Sequence, residues 1–102
     1  MAKFRKKPVV IEAELFTIDN WEQLEQVCGV NESGENIFVA LGNWDKGLDK
    51  FVPVGGHVRT LEGTMTANFG DWIIKGVEGE FYPIKAEIFT ATYEPVEGSE
   101  NG

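Results

Sequence analysis

Apolar and polar residues alternate over residues 8–16, near the start of the chain. One face of an extended segment there would carry only apolar side chains: Val9, Ile11, Ala13 and Leu15. The opposite face carries the carboxylates Glu12 and Glu14. Such alternation is typical of a half-buried strand. We therefore predict a strand whose acidic face meets water or binds a basic partner.

Residues 19–28 have the pattern of a helix. Asp19 is a good N-cap type, and Glu22 follows at the capping-box spacing. The apolar side chains recur on one helical face: Trp21, Leu24, Val27 and Cys28. Gly29 is placed to cap the C-terminus. We expect this face to pack on a sheet, with Cys28 as a small core residue rather than a nucleophile.

Short apolar runs separated by turn-forming residues fill the rest of the chain, which predicts several short strands. We expect strands at residues 36–41, 51–54, 57–61, 64–67, 72–75 and 81–84. Residues 31–35 and 42–50 are predicted loops, the second with Trp44 exposed, and Gly70 with Asp71 is a predicted turn. Pro83 cannot donate to a ladder, which puts the last strand at a sheet edge. A helical turn at residues 85–92 should pack Ile88 and Phe89 on the sheet, and residues 93–96 should be extended.

One helix followed by many short strands predicts an α+β fold. We expect a small, curled, mostly antiparallel sheet, a partial barrel, with one main helix packed on it. Its core should include Trp21, Leu24 and Val27 of the helix, with Trp72, Ile73 or Ile74, and Phe81 of the last hairpin. A length of 102 residues suits one domain. We assign residues 1–96 to that domain, residues 1–8 to a basic arm, and residues 97–102 to a disordered tail.

The charge of the chain is strongly acidic and unevenly distributed. Nine Lys and Arg stand against seventeen Asp and Glu, a formal net charge of -8. This balance argues against direct nucleic-acid binding and against an anionic membrane surface as partner. The basic arm nevertheless carries four cations: Lys3, Arg5, Lys6 and Lys7. A basic arm on an acidic body is compatible with a homodimer.

The inventory of reactive side chains does not predict catalysis. His57 is the one histidine and Cys28 the one cysteine, so a zinc set or a nucleophile with its base cannot be assembled from them. No glycine-rich phosphate motif occurs. We predict a protein that is not an enzyme and needs no cofactor or metal. A single cysteine, and no apolar run of signal-peptide or membrane-span length, favour a cytoplasmic location.

Two segments carry a family resemblance. The opening KFRKKPVVIEA and the run from Thr60 to Val96, with GDWIIKGVEGEFYP at its centre, resemble a widespread group of small phage and prophage proteins. Phe69 stands where that group has proline, and Ile84 and Ala86 replace its cysteine and proline. In size and opening sequence the chain is also similar to anti-CRISPR proteins of type II-A systems. That resemblance implies that the protein acts in the host cell and inhibits a host RNA-guided nuclease. The nucleic-acid channel of such a nuclease is basic.

An inhibitor of a basic nuclease, or of its guide-RNA complex, needs an acidic contact surface. The candidate residues lie on the first strand and in the middle segment that departs from the wider family: Glu12, Glu14, Glu32, Glu35, Asp45 and Asp49. Two alternatives remain open. A binder of a small nucleotide signal would use cations and aromatic rings, for which the candidates are Arg59, Lys75, Trp72 and Tyr82. An accessory phage protein would have no inhibitory role.

Overall fold

The computed structural model describes residues 1–5 and 7–96. Along them follow six strands and two helices: β1 (Glu12–Leu15), α1 (Trp21–Cys28), β2 (Phe38–Asp45), β3 (Lys50–Thr60), β4 (Gly63–Ala67), β5 (Trp72–Lys75), β6 (Phe81–Ile84) and α2 (Ala86–Thr92). The strands form two open antiparallel sheets, ordered β1-β5-β6 and β2-β3-β4. The α+β class is confirmed, and the strands are divided between two sheets. The predicted tail, residues 97–102, lies outside the described residues.

The main core joins side chains of both sheets and of α1. Its buried members are Phe16, Leu24, Cys28, Phe38, Val58, Ala67, Ile73 and Phe81. Phe16 and Phe38 meet edge to face, with ring centroids 5.0 Å apart. Phe16 belongs to the face of the first strand that carries the two glutamates, whereas Val9 and Leu15 on the predicted core face are partly exposed. The apolar face of the strand is therefore only partly buried, and Phe16, just beyond the end of β1, enters the core instead.

Helix α1 begins at Trp21, and its N-cap is Asn20 rather than Asp19. The Asn20 side chain caps no helical N–H; its Oδ1 accepts from the backbone N–H of Thr17 at 2.8 Å, and its Nδ2 donates to the carbonyl of Leu15 at 2.6 Å. The predicted capping box of Asp19 and Glu22 is therefore wrong: the N-cap position is that of Asn20, whose side chain holds the β1–α1 connection instead. Leu24 faces the core as predicted, but Val27 is 57% exposed.

Strands β2 and β3 form a longer hairpin than the pattern predicts. The predicted loop at residues 42–50 contains the end of β2 and only a four-residue turn, 46–49. Gly55 and Gly56, interpreted as a break, lie inside the continuous β3. A Cβ on Gly56 would lie 2.9 Å from the carbonyl oxygen of Val39, so glycine here permits close approach of the strands. The pairing also shifts beside Leu41, which marks a bulge.

The last hairpin and α2 lie where the sequence predicts them. Pro83 is in the edge strand β6, as expected. Phe89 of α2 stacks on Trp72 with centroids 4.3 Å apart, while Ile88 remains half exposed. Neighbouring residues of a strand point to opposite faces, so Trp72 and Ile73 lie on different faces of the sheet. Ile73 is in the main core, whereas Trp72 lies under α2; its predicted place in the main core is wrong. Residues 93–96 form no strand.

Candidate protein-binding site

The six predicted partner-binding residues are distributed over three elements. Glu12 and Glu14 lie on β1, whereas Glu32 and Glu35 lie in the turn before β2. Asp45 ends β2, and Asp49 is the last residue of the turn between β2 and β3. They are therefore three separate pairs along the fold, and each pair has its own surroundings.

The β1 pair is partly used within the fold. Glu12 is exposed and sits opposite Lys75 in the β1–β5 register, so a cation lies across the strand from it. Glu14 is half-buried, and its carboxylate accepts from Asn20 Nδ2 at 3.4 Å. The carboxylate most accessible to a partner on this strand is that of Glu12.

The turn at residues 31–35 is organised by Asn31. Its Oδ1 accepts from the backbone N–H groups of Ser33 and Glu35, each at 2.9 Å, and its Nδ2 donates to the Glu35 carboxylate at 3.3 Å. Glu35 also pairs with Arg59 of β3, with Nη2 and Oε2 3.7 Å apart. Glu35 thus has an internal cation, while Glu32 is simply exposed.

A cleft of about 500 Å³ lies between the start of α1 and the β2–β3 hairpin. Among the described residues, its lining includes three acidic ones, Asp19, Glu22 and Asp49, and one basic residue, Lys50. Its aromatic members are Trp21, Trp44 and Phe51; we call this cleft the acidic aromatic cleft.

The hairpin pairing explains how the aromatic side chains come together. Trp44 and Phe51 are directly opposite in the β2–β3 register, which puts both on one face of the hairpin. Trp21 at the start of α1 packs on Phe51, with ring centroids 5.1 Å apart. Trp44 is 60% exposed, so the group formed by Trp21, Phe51 and Trp44 extends from the partly buried side of the cleft into solvent.

The turn beyond Trp44 sets the position of Asp49. Asp45 Oδ1 accepts from the backbone N–H of Leu48 at 2.9 Å, which closes the turn. Asp49 then adopts a positive φ of 53°, a conformation that aspartate tolerates better than most residues. Asp49 lines the same cleft as Asp19, which precedes α1, and Glu22 of α1. Acidic groups therefore enter the cleft from both of its walls.

This lining suits a cationic segment. Carboxylates bind Lys and Arg heads, while aromatic faces attract cations and cover their aliphatic stems. Sequence reasoning found Asp49 and the exposed Trp44 but missed Asp19, Glu22 and Phe51. The first two were assigned to capping, and the register that pairs Phe51 with Trp44 was hidden by a predicted loop. An exposed tryptophan beside acidic residues was the available signal.

The four residues proposed for a small ligand are not gathered in one cleft. Arg59 is on β3 with Glu35, and Trp72 is covered by Phe89. Tyr82 lines a smaller cleft of about 250 Å³ beside Tyr93. Burial and a hydrogen bond with Tyr93 raise the pKa of Tyr82 to about 12. Neither of these two clefts, as lined by the described residues, contains more than one of the four, so neither supports the small-ligand alternative.

Cys28 is 5% exposed within the main core. Burial, with a smaller contribution from the charge of Glu14, raises the pKa of the Cys28 thiol from 9.0 to about 11. The thiol is therefore neutral near pH 7 and packs as a small apolar group, in agreement with the core role expected from the sequence.

Comparison of the chain with protein-family models, with curated proteins and with solved structures found no significant match. Within the described residues, no group of three or more His, Cys, Asp or Glu side chains is arranged to hold a metal ion. Neither helix of the described chain has the length and apolar character needed to cross a membrane.

Proposed function

We propose that this protein binds a basic surface of a host type II RNA-guided nuclease and inhibits it by blocking its engagement of guide or target nucleic acid. The acidic aromatic cleft carries the proposal, because it joins acidic residues on two walls with the exposed Trp44 and the partly buried rings of Trp21 and Phe51. The identity of the partner comes from the resemblance to type II-A anti-CRISPR proteins. The site of action is the host cytoplasm, and inhibition is by binding rather than by catalysis.

The physical basis is competition for the cations that hold nucleic acid. Such nucleases keep guide and target in a positively charged channel. Lys or Arg side chains from that channel would enter the cleft, where Asp19, Glu22 and Asp49 take the place of phosphates. The excess of acidic residues would also accelerate encounter with the nuclease. Inhibition should therefore weaken as salt concentration rises.

The test is a DNA-cleavage assay with purified nuclease and a cleft variant, D19K/E22K. Its matched control is E62K/E78K, which makes the same charge change at exposed positions outside the cleft. We expect the cleft variant to need about tenfold more protein for half-inhibition, while the control stays within about twofold. Circular dichroism confirms that both variants fold.

Adding the protein before or after guide RNA identifies the blocked step. Full inhibition only before guide addition indicates a block on guide loading, and inhibition at either stage indicates a block on target binding. Absence of inhibition by the unmodified protein would overturn the choice of partner. Equal losses in the two variants would mean that total charge, and not the cleft, determines binding.

A further inference from the structure

We propose that the acidic aromatic cleft also binds the basic arm of a second copy of this chain, so that two copies exchange arms and the arm competes with the nuclease. The inference rests on the proposed function only in using the same cleft. Self-association does not require the nuclease to be the partner.

The arm is exposed and has the right chemistry for the cleft. Its described residues, 1–5 and 7–8, are all exposed. Phe4 has 94% of its surface exposed and lies between Lys3 and Arg5 in the sequence. Full burial of a phenylalanine side chain against a partner is favourable by roughly 1.5–3 kcal/mol of free energy. The arm therefore presents an apolar anchor between two cations.

The cleft has the complementary arrangement. Trp21, Trp44 and Phe51 form its aromatic part, with Asp19 and Glu22 on one wall and Asp49 on the other. A ring bound among the aromatic side chains would place the flanking cations beside the carboxylates. Aromatic pairing and charge pairing would then act together at one position.

The described residues of the arm, 1–5 and 7–8, do not occupy the cleft of their own chain. None of them lines it, whereas Lys7 at the base of the arm lines the smaller cleft, together with Gly76, Val77 and Tyr82. Each copy thus offers an open acidic cleft and a separate basic arm. In a dimer with twofold symmetry, the arm of each copy would bind the cleft of the other copy. The same arm–cleft contact then forms twice, and neither arm nor cleft is left unoccupied.

The first experiment measures molar mass against concentration by sedimentation equilibrium for four proteins: the unmodified chain, arm variant K3E/R5E, cleft variant D19K/E22K and control variant E62K/E78K. We expect a dimer of the unmodified chain at about 0.1 M salt that weakens toward about 1 M, where the Debye length falls from about 10 Å to about 3 Å. The arm and cleft variants should each raise the dimer dissociation constant about tenfold or more, with the control near the unmodified value.

The second experiment mixes the arm variant with the cleft variant. In this mixture the native arm of one chain faces the native cleft of the other, and the reversed arm faces the reversed cleft. We expect the mixture to form a heterodimer at concentrations where each variant alone is mostly monomeric. Restored pairing by charge exchange excludes unfolding as the reason for the loss in either variant. A third variant, F4A, should weaken the dimer at unchanged charge.

Several results would overturn the proposal. A monomer at every concentration, a dimer that persists in the arm variant, or failure of the mixture to associate would each do so. These outcomes are independent of the nuclease assay. A monomeric protein that inhibits the nuclease contradicts arm exchange alone, whereas a dimer that does not inhibit it contradicts the proposed function alone.

Discussion

Single side chains at chain reversals add to the stability that the buried residues provide. Asp71 accepts from the backbone N–H of Asn68 at 2.9 Å and returns its own N–H to the Asn68 carbonyl at 3.0 Å. The same turn exchanges backbone bonds with Phe16 through Gly70 and Asp71, at 2.8 and 2.9 Å. The turn predicted from the sequence therefore also anchors the end of β1.

We expect Asp71→Ala to lower stability by about 1 kcal/mol, which corresponds to about 4–8 °C in Tm for a domain near this size. The loss follows from removing the acceptor of the Asn68 N–H while the backbone bonds remain. Thermal unfolding followed by circular dichroism measures it. Unchanged Tm together with lost nuclease inhibition would show that Asp71 is a binding residue instead.

The Cys28 thiol gives stability a dependence on alkaline pH. Its pKa in the folded protein, about 11, lies above the ordinary value of 9.0, so the folded state keeps the proton longer than the unfolded state. The resulting contribution to stability is complete below pH 9 and is lost as pH rises from 9 to 11. The raised pKa of Tyr82 acts in the same direction at higher pH.

We therefore expect the free energy of unfolding to fall between pH 9 and 11, and the fall to be smaller in Cys28→Ala. Denaturant titrations at a series of pH values provide the comparison. The alanine variant should be less stable overall, because it leaves a small cavity in the core. An identical pH slope in both proteins would show that Cys28 does not contribute to it.

At the scale of elements, prediction succeeded where local pattern alone decides the structure. The β5–β6 hairpin has apolar runs on both sides of a glycine-containing turn, and no distant contact changes that assignment. Prediction failed at Gly55 and Gly56, because glycine occurs both in turns and where two strands approach closely. It failed at Asp19 because Asn20 is as good a cap type, and the sequence does not show that the Asn20 side chain bonds to Leu15 and Thr17.

The candidate site was only partly predictable for a related reason. Asp49 and Trp44 could be identified as exposed acidic and aromatic residues of a turn region. The cleft itself depends on the packing of α1 against the hairpin, and in particular of Trp21 on Phe51. These two residues are 30 positions apart in the sequence, so neither periodicity nor motif spacing indicates their contact.

The two adjacent glycines of β3 permit a matched test of the hairpin. An added Cβ at Gly56 would lie 2.9 Å from the carbonyl oxygen of Val39 and 3.0 Å from Phe38 Cζ, whereas at Gly55 the nearest atom is 3.4 Å away. We expect Gly56→Ala to cost about 1–3 kcal/mol and Gly55→Ala less than about 1 kcal/mol. Chemical denaturation measures both, and equal costs would contradict the close approach at Gly56.

At the scale of the whole molecule, the acidic surface consists of pairs with unequal access to a partner. Two double variants that remove charge but keep side-chain shape distinguish the contributions of these pairs. One is Asp45→Asn with Asp49→Asn at the hairpin, and the other is Glu12→Gln with Glu32→Gln outside it. Asparagine keeps the turn acceptor of Asp45 and tolerates the positive φ of Asp49. We expect the hairpin pair to weaken nuclease inhibition about threefold or more, and the other pair less. Equal effects would indicate contact spread over the whole surface.

The pairing of β1 with β5 determines when this protein can finish folding. Glu12 is in register with Lys75, so the first sheet joins segments separated by about sixty residues. The second sheet consists of two sequential hairpins, whose contacts close short loops and form quickly. During synthesis β2, β3 and β4 can therefore assemble while β1 still has no neighbour. We therefore expect closure of the first sheet, and with it burial of Ile73 and Phe81, to be the late and slower step of folding.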